Sequence, residues 1–155
     1  MFTAESADLE GSFVVALAVD PAFELFSPLG ERFWAPDWHP ELLFPRDAAW
    51  TPGQVFRTCS GANEVVWLVA ALDLEAHEVE YHRVETGRHV ARVHVRCLAR
   101  ADGGTDVTVR YRFVGLSEPG NHEIAQMNPQ THAARMLSWQ SSIERYLQND
   151  RHPDH

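Results

Sequence analysis

The sequence predicts an α+β domain in which one curved antiparallel sheet is covered by a long C-terminal helix. Three observations carry this reading. The first is a run of period-two segments between residues 53 and 116, separated by glycine-containing turns. The second is a return to helical periodicity after Gly120, and the third is a pair of short helical segments between the first strand and the remaining ones. With 155 residues, 45% hydrophobic and 23% charged, the chain has the size and composition of a single domain spanning 1–155.

Residues 11–19 (GSFVVALAV) place Phe13, Val15, Leu17 and Val19 on one face and read as the first strand. Asp20 and Pro21 then supply a cap and a proline suited to a first helical turn. Phe23 and Phe26 lie three apart before Gly30 ends that short helix, and a second short turn follows. Residues 30–45 (GERFWAPDWHPELLFP) carry two Trp, one His and three Pro, so they read as an aromatic-rich connector without a regular element.

The strands are then VFRTCS, EVVWLVAAL, HEVEYHRVE, HVARVHVRCLA and TDVTVRYRFVGL, which makes a sheet of six to seven strands. A three-residue loop ending at Gly87 predicts Tyr81 opposite Ala91 and Glu80 opposite Arg92. A further loop at Asp102, Gly103 and Gly104 predicts Val95 opposite Tyr111, Val93 opposite Phe113 and Cys97 opposite Val109. This parity makes one face apolar. The other carries Glu78, Glu80, His82, Arg92, His94, Arg96, Arg100, Arg110 and Arg112. Residues 118–127 predict a helical turn. Asn128 and Pro129 then start a long helix with Ala133, Met136, Leu137, Gln140, Ile143 and Leu147 on the face toward the sheet. Residues 149–155 read as a frayed tail.

Composition excludes several chemistries. The formal charge of −9 disfavours a phosphate backbone as partner, so no nucleic acid is expected. All thirteen basic residues are Arg, which removes lysine Schiff bases, phosphate-loop lysines and Ser-Lys dyads. Motifs of the forms GxGxxG, GxxxxGK and GxSxG do not occur. Cys59 and Cys97 are read as reduced core thiols. No cofactor and no metal are expected, because HExxH, paired Cys and an i, i+4 His pair are missing. His82 and His94 near Glu78 and Glu80 read as members of solvated ion pairs. No apolar start segment or stretch of about 20 apolar residues is seen, so a cytoplasmic protein without membrane insertion is expected, as a monomer or homodimer.

The stretches FELFSPLGERFWAPDWHP, PGQVFRTCS, VVWLVAALD, EYHRVETG, GGTDVTVRYRFVGLSEPG and MLSWQSSIERYL resemble the START-like (SRPBCC) group. That group includes pollen allergens, aromatic polyketide cyclases and lipid carriers. The resemblance covers nearly the whole chain and implies the helix-grip fold, with a hollow between the concave sheet and the terminal helix. It identifies no catalytic residue.

Within that frame Trp34, Trp38, Trp67, Tyr81, Phe113, Met136 and Trp139 are expected to wall the hollow. If Tyr81 points inward, so does Arg83, where a guanidinium can hold a carboxylate or polarise a carbonyl. Tyr81 and Tyr111 offer hydroxyls, and Gln140 offers an amide on an otherwise apolar stripe. His39 and His132 are candidate bases. Each of these residues also has a structural reading: packing for the aromatics, rim placement for Arg83 and surface exposure for the histidines. The functional expectation is binding of a small hydrophobic or aromatic, lipid-like or polyketide-like molecule. The alternative is a cofactor-independent cyclase, dehydratase or hydrolase acting by acid-base catalysis, with His39 and Arg83 as the leading candidates.

Overall fold

A computed structural model of the chain describes residues 1–47 and 49–150. Seven antiparallel strands form one sheet in the order β1-β7-β6-β5-β4-β3-β2. They are β1 (Ser6–Val15), β2 (Glu41–Phe44), β3 (Val55–Ser60), β4 (Asn63–Asp73), β5 (Glu78–Glu85), β6 (His89–Ala99) and β7 (Thr105–Gly115). Helix α1 (Val19–Glu24) and a 3-10 turn (Gly30–Phe33) follow β1, while α2 (Glu118–Ala125) and α3 (Pro129–Asp150) close the chain. The α+β helix-grip architecture is as expected.

The first strand begins five residues earlier than periodicity suggested and ends at Val15, so Val19 opens α1 instead of extending the strand. The outward residues of the early part explain this. Asp8 pairs with Arg110 across the β1-β7 ladder through two hydrogen bonds, of 2.9 and 2.6 Å, which gives the polar segment a partner on the wet face. Asp20 does not cap α1; it lies inside the first turn and takes a 2.6 Å contact from His77 Nε2. The connector contains a strand after all, because β2 pairs with β3 through Glu41 and Leu42 despite the flanking prolines.

Strand parity is as expected, but the register differs by two residues at both hairpins. Tyr81 faces Val93, Arg83 faces Ala91 and Glu85 faces His89; Val93 faces Tyr111, Val95 faces Val109 and Cys97 faces Val107. The tight turn comprises Thr86, Gly87 and Arg88, closed by Arg88 N–H donating to the Glu85 carbonyl at 2.9 Å. The outer face carries the anticipated ion pairs, including Arg112 with Glu80 at 3.1 Å and Arg96 with Glu78 at 3.3 Å. His82 lies 3.0 Å from Glu80 in the same wet layer. Cys97 is buried and its thiol is pushed up to about 12 by burial. Cys59, expected in the core, is exposed at the end of β3.

Asn128 caps α3 as expected, its side-chain oxygen accepting from Thr131 N–H at 2.9 Å. The helix is rotated from the expected face. Met136 and Ile143 are buried, but Ala133 and Leu137 are exposed, and His132 takes an inward position. A polar inward residue is tolerated because His132 Nε2 donates to the Val109 carbonyl at 3.1 Å and its Nδ1 accepts from Arg135 at 3.3 Å. Of the expected tail, Asn149 and Asp150 continue α3, and residues 151–155 lie outside the described residues.

This rotation has a direct test. Ile143, at 0% exposure, should lose roughly 2–5 kcal/mol of stability as Ile143→Ala. Leu137, at 63% exposure, should lose less than about 0.5 kcal/mol as Leu137→Ala. Equal losses in urea unfolding would reject the helix orientation.

Candidate functional site

The side chains expected to wall an open hollow are largely engaged with one another. Trp139 of α3 meets Trp34 edge-on at 5.5 Å, Phe26 at 6.4 Å and Tyr111 at 6.3 Å between ring centres. Trp67 stacks on Phe56 at 5.6 Å with planes 6° apart, and Trp38 and Tyr81 meet both of these rings edge-on. Their polar handles are spent on the scaffold as well. Trp34 Nε1 donates to the Leu25 carbonyl at 2.7 Å, Trp38 Nε1 to the Pro28 carbonyl at 2.7 Å, and Trp67 Nε1 to Thr58 Oγ1 at 3.0 Å. Tyr81 hydroxyl donates to the Phe26 carbonyl at 2.6 Å, so it is committed to fixing the segment after α1.

Two recesses open beside this aromatic layer. The larger, of about 520 Å³, lies between α1, the 3-10 turn and the C-terminal half of α3. Leu17, Leu25, Leu29, Phe33, Trp50 and Leu147 contribute its apolar lining, with Tyr146 stacked on Phe33 at 5.5 Å and Glu24 as the charged member. The chain brings these residues together by packing the two short helical segments across the end of α3. Trp50 Nε1 is buried and has no hydrogen-bond partner. None of these lining residues was singled out from the sequence as a ligand contact. The only signal present was the apolar content of residues 17–33, which period counting assigns to packing.

The smaller recess, of about 220 Å³, lies at the other end of the layer, where β5, β6 and β7 meet α2 and the start of α3. Arg83, Tyr111 and Phe113, three of the anticipated residues, line it together with Glu85, His89, Glu123 and Arg135. Arg83 lies over the Trp67 ring at 4.9 Å and Arg135 over the Tyr111 ring at 4.7 Å, so two guanidinium groups flank the recess on aromatic faces. Ala91, cross-strand from Arg83, leaves room for that side chain. Arg83 Nε is buried without a partner, and the side chain's Nη2 lies 3.9 Å from Glu85 Oε1. Burial lowers the pKa of Arg83, and burial raises that of the Tyr111 phenol, opposed by the charges of Arg135 and Arg83.

The remaining anticipated residues lie elsewhere. His39 is exposed in the connector. Gln140 Nε2 donates to the Val14 carbonyl at 3.2 Å, fastening α3 to β1. Met136 is buried against Gly11, in a groove with Phe13 and Leu137. Sequence reasoning also missed Glu31 on the 3-10 turn. Burial pushes its carboxyl well above the usual carboxylate range, and its charge is a secondary cause of the raised Tyr81 phenol after burial itself.

This arrangement of sheet and helices recurs among solved structures. Solved structures that share it include Ara h 8.0201, with a TM-score of 0.65, 15% identity, and 93% of this chain and 99% of that one covered. Norcoclaurine synthase from Thalictrum flavum aligns with a TM-score of 0.65 and 11% identity over 96% of this chain and 89% of that one. DynU16, a protein of the dynemicin biosynthetic locus, gives 0.61 and 20% over 91% of this chain and 47% of its own. The chain therefore has the helix-grip fold that these structures share. No protein-family model matches it, and no curated protein matches its sequence. Among the described residues no helix is long and apolar enough to cross a membrane.

Burial lowers the pKa of both His89 and His132 from the ordinary 6.5. The unfolded chain therefore binds more protons than the folded one just below that value, so stability rises with pH through this window. His132 contributes in full above about pH 7.5, and its contribution shrinks as pH falls through 6.5 toward its folded value. Urea midpoints at about pH 7.5 and about pH 5.5 should lie further apart in the wild type than in His132→Gln, which keeps a donor and an acceptor. An unchanged gap would show that His132 is not held neutral.

Proposed function

We propose that the protein binds a small hydrophobic or aromatic molecule at the grip of α3, with the body of the ligand in the 520 Å³ recess. The observation that carries this reading is the recess itself. Its volume falls within the range of roughly 300–1,000 Å³ typical of small-molecule sites, and its lining is dominated by leucine and aromatic side chains. Leu25 of its lining accepts a hydrogen bond from Trp34 Nε1, which ties the recess to the interlocked rings of Phe26, Trp34 and Trp139. Apolar walls of this kind select by size and shape, and each methylene the ligand buries contributes about 0.8 kcal/mol. Neutral lipid-like and polyketide-like rings fit that chemistry.

A second reading has an observation of its own. Arg83, Tyr111, Glu85, His89 and Glu123 line one recess, a convergence of acid, base and cation suited to polarising a carbonyl and moving its proton. Burial favours the neutral imidazole of His89, the form that accepts a proton. His39, the leading histidine candidate from sequence, takes no part in that set. The solved structures of this fold include a synthase by name, which makes an enzyme of the same architecture a consistent outcome.

Titration with a fluorescent apolar dye and a panel of neutral aromatics and fatty acids tests both readings. Leu147→Trp, which fills the larger recess, should weaken neutral ligands by about tenfold or more, equivalent to about 1.4 kcal/mol. Undiminished binding would place the ligand elsewhere. Arg83→Ala should leave neutral ligands unchanged; a selective loss of acidic ones would favour the polar recess as the second binding surface.

A further inference from the structure

Glu85 and His89 are paired residues at the end of the β5-β6 ladder, so their side chains share one face beside the tight turn. Glu123 reaches the same point from α2. That approach depends on glycine at position 120, since a Cβ there would run into the Arg88 carbonyl of the turn. Ser117 secures the contact by accepting from Gly120 N–H at 3.0 Å while its hydroxyl donates to the Gly87 carbonyl. One ligand atom from each of Glu85, His89 and Glu123 therefore lies within 4.8 Å of the others.

The imidazole is the unexplained member. His89 is only 4% exposed, and neither ring nitrogen has a hydrogen-bond partner. Leaving both nitrogens of a buried imidazole unpaired is unfavourable, and a partner bound at them would relieve it. Nδ1 stands 3.9 Å from Glu123 Oε2, too far for a hydrogen bond. It is close to the spacing of about 3.4 Å that two ligands about 2.1 Å from one tetrahedral zinc ion adopt.

We propose that Glu85, His89 and Glu123 form a binding site for one divalent transition-metal ion of the zinc type. One imidazole and two carboxylates suit such ions, and three protein ligands leave a position open toward the recess. Two cations limit its strength. Arg88 holds Glu123 Oε1 at 2.6 Å, leaving Oε2 for the metal, and Arg83 Nη2 lies 3.9 Å from Glu85 Oε1. Arg135 lines the same recess, so guanidinium groups outnumber the two carboxylates there, and the imidazole and the geometry, rather than net charge, provide the affinity and the selectivity. The usual zinc motifs are missing because the three ligands come from two strands and a helix. This assignment does not depend on the ligand reading above.

The test titrates chelator-treated protein with Zn²⁺ by calorimetry and with Co²⁺ by visible absorption. One saturable site is expected. Glu123→Gln, at a half-buried helix position, should weaken it at least tenfold, as should His89→Ala. His82→Ala, on the outer face, and the tail double variant His152→Ala/His155→Ala should not change it. Binding that survives Glu123→Gln and His89→Ala, or is abolished by the tail variant, would overturn the proposal, as would the absence of a saturable site in the wild type.

Discussion

The aromatic layer between the sheet and α3 sets the geometry of everything else. Trp139 touches Trp34, Phe26 and Tyr111, and these contacts fix how closely the helix can approach the strands. Rings of this size bury large apolar areas and favour edge-on and offset contacts, so the layer resists collapse and shearing alike. Arg135 and Tyr146 lie on either side of Trp139 along α3, about 16 Å apart at 1.5 Å per residue. Each borders a different recess. One helix therefore serves an apolar space at its C-terminal half and a polar one near its start.

The sheet supports this division through its two faces. On the outer side, glutamates, aspartates and arginines pair across neighbouring strands, where solvent makes each pair worth little individually. On the inner side, valines from β4, β5, β6 and β7 form a floor, and the buried ionisable strand residues Glu85 and His89 sit where β5 and β6 approach their turn. Charge entering the interior at Arg83 and Glu85 is thus confined to the end that α2 covers. That placement explains why the unpartnered His89 imidazole and Arg83 Nε lie together in this part of the fold.

Much of the architecture was legible from side-chain alternation. The bounds of VFRTCS and HVARVHVRCLA match β3 and β6, and the wet and apolar faces were assigned correctly because parity survives a two-residue shift. The shift was not legible, since it depends on which turn amides close on Glu85 in one hairpin and on Arg100 in the other. Strand β2 was hidden by its prolines, whose effect on an edge strand is weaker than in a sheet interior. The face of α3 was misread because hydrophobicity ranks Leu137 above His132, whereas the Val109 carbonyl and Arg135 satisfy the imidazole inside. Of the candidate site, Arg83 and Tyr111 followed from strand parity. Glu85, His89 and Glu123 did not, because only the docking of α2 at Gly120 brings the third of them to the other two.

The proposed apolar guest lies between α1, the 3-10 turn and the end of α3. Mapping amide and indole shifts by NMR during addition of a neutral aromatic ligand tests it most directly. The largest changes should fall on the Trp50 indole N–H, Phe33, Tyr146 and Leu147, with the outer strand residues Arg92, His94 and Arg110 undisturbed. Changes centred on the outer face, or none at Trp50 and Leu147 at saturation, would contradict it.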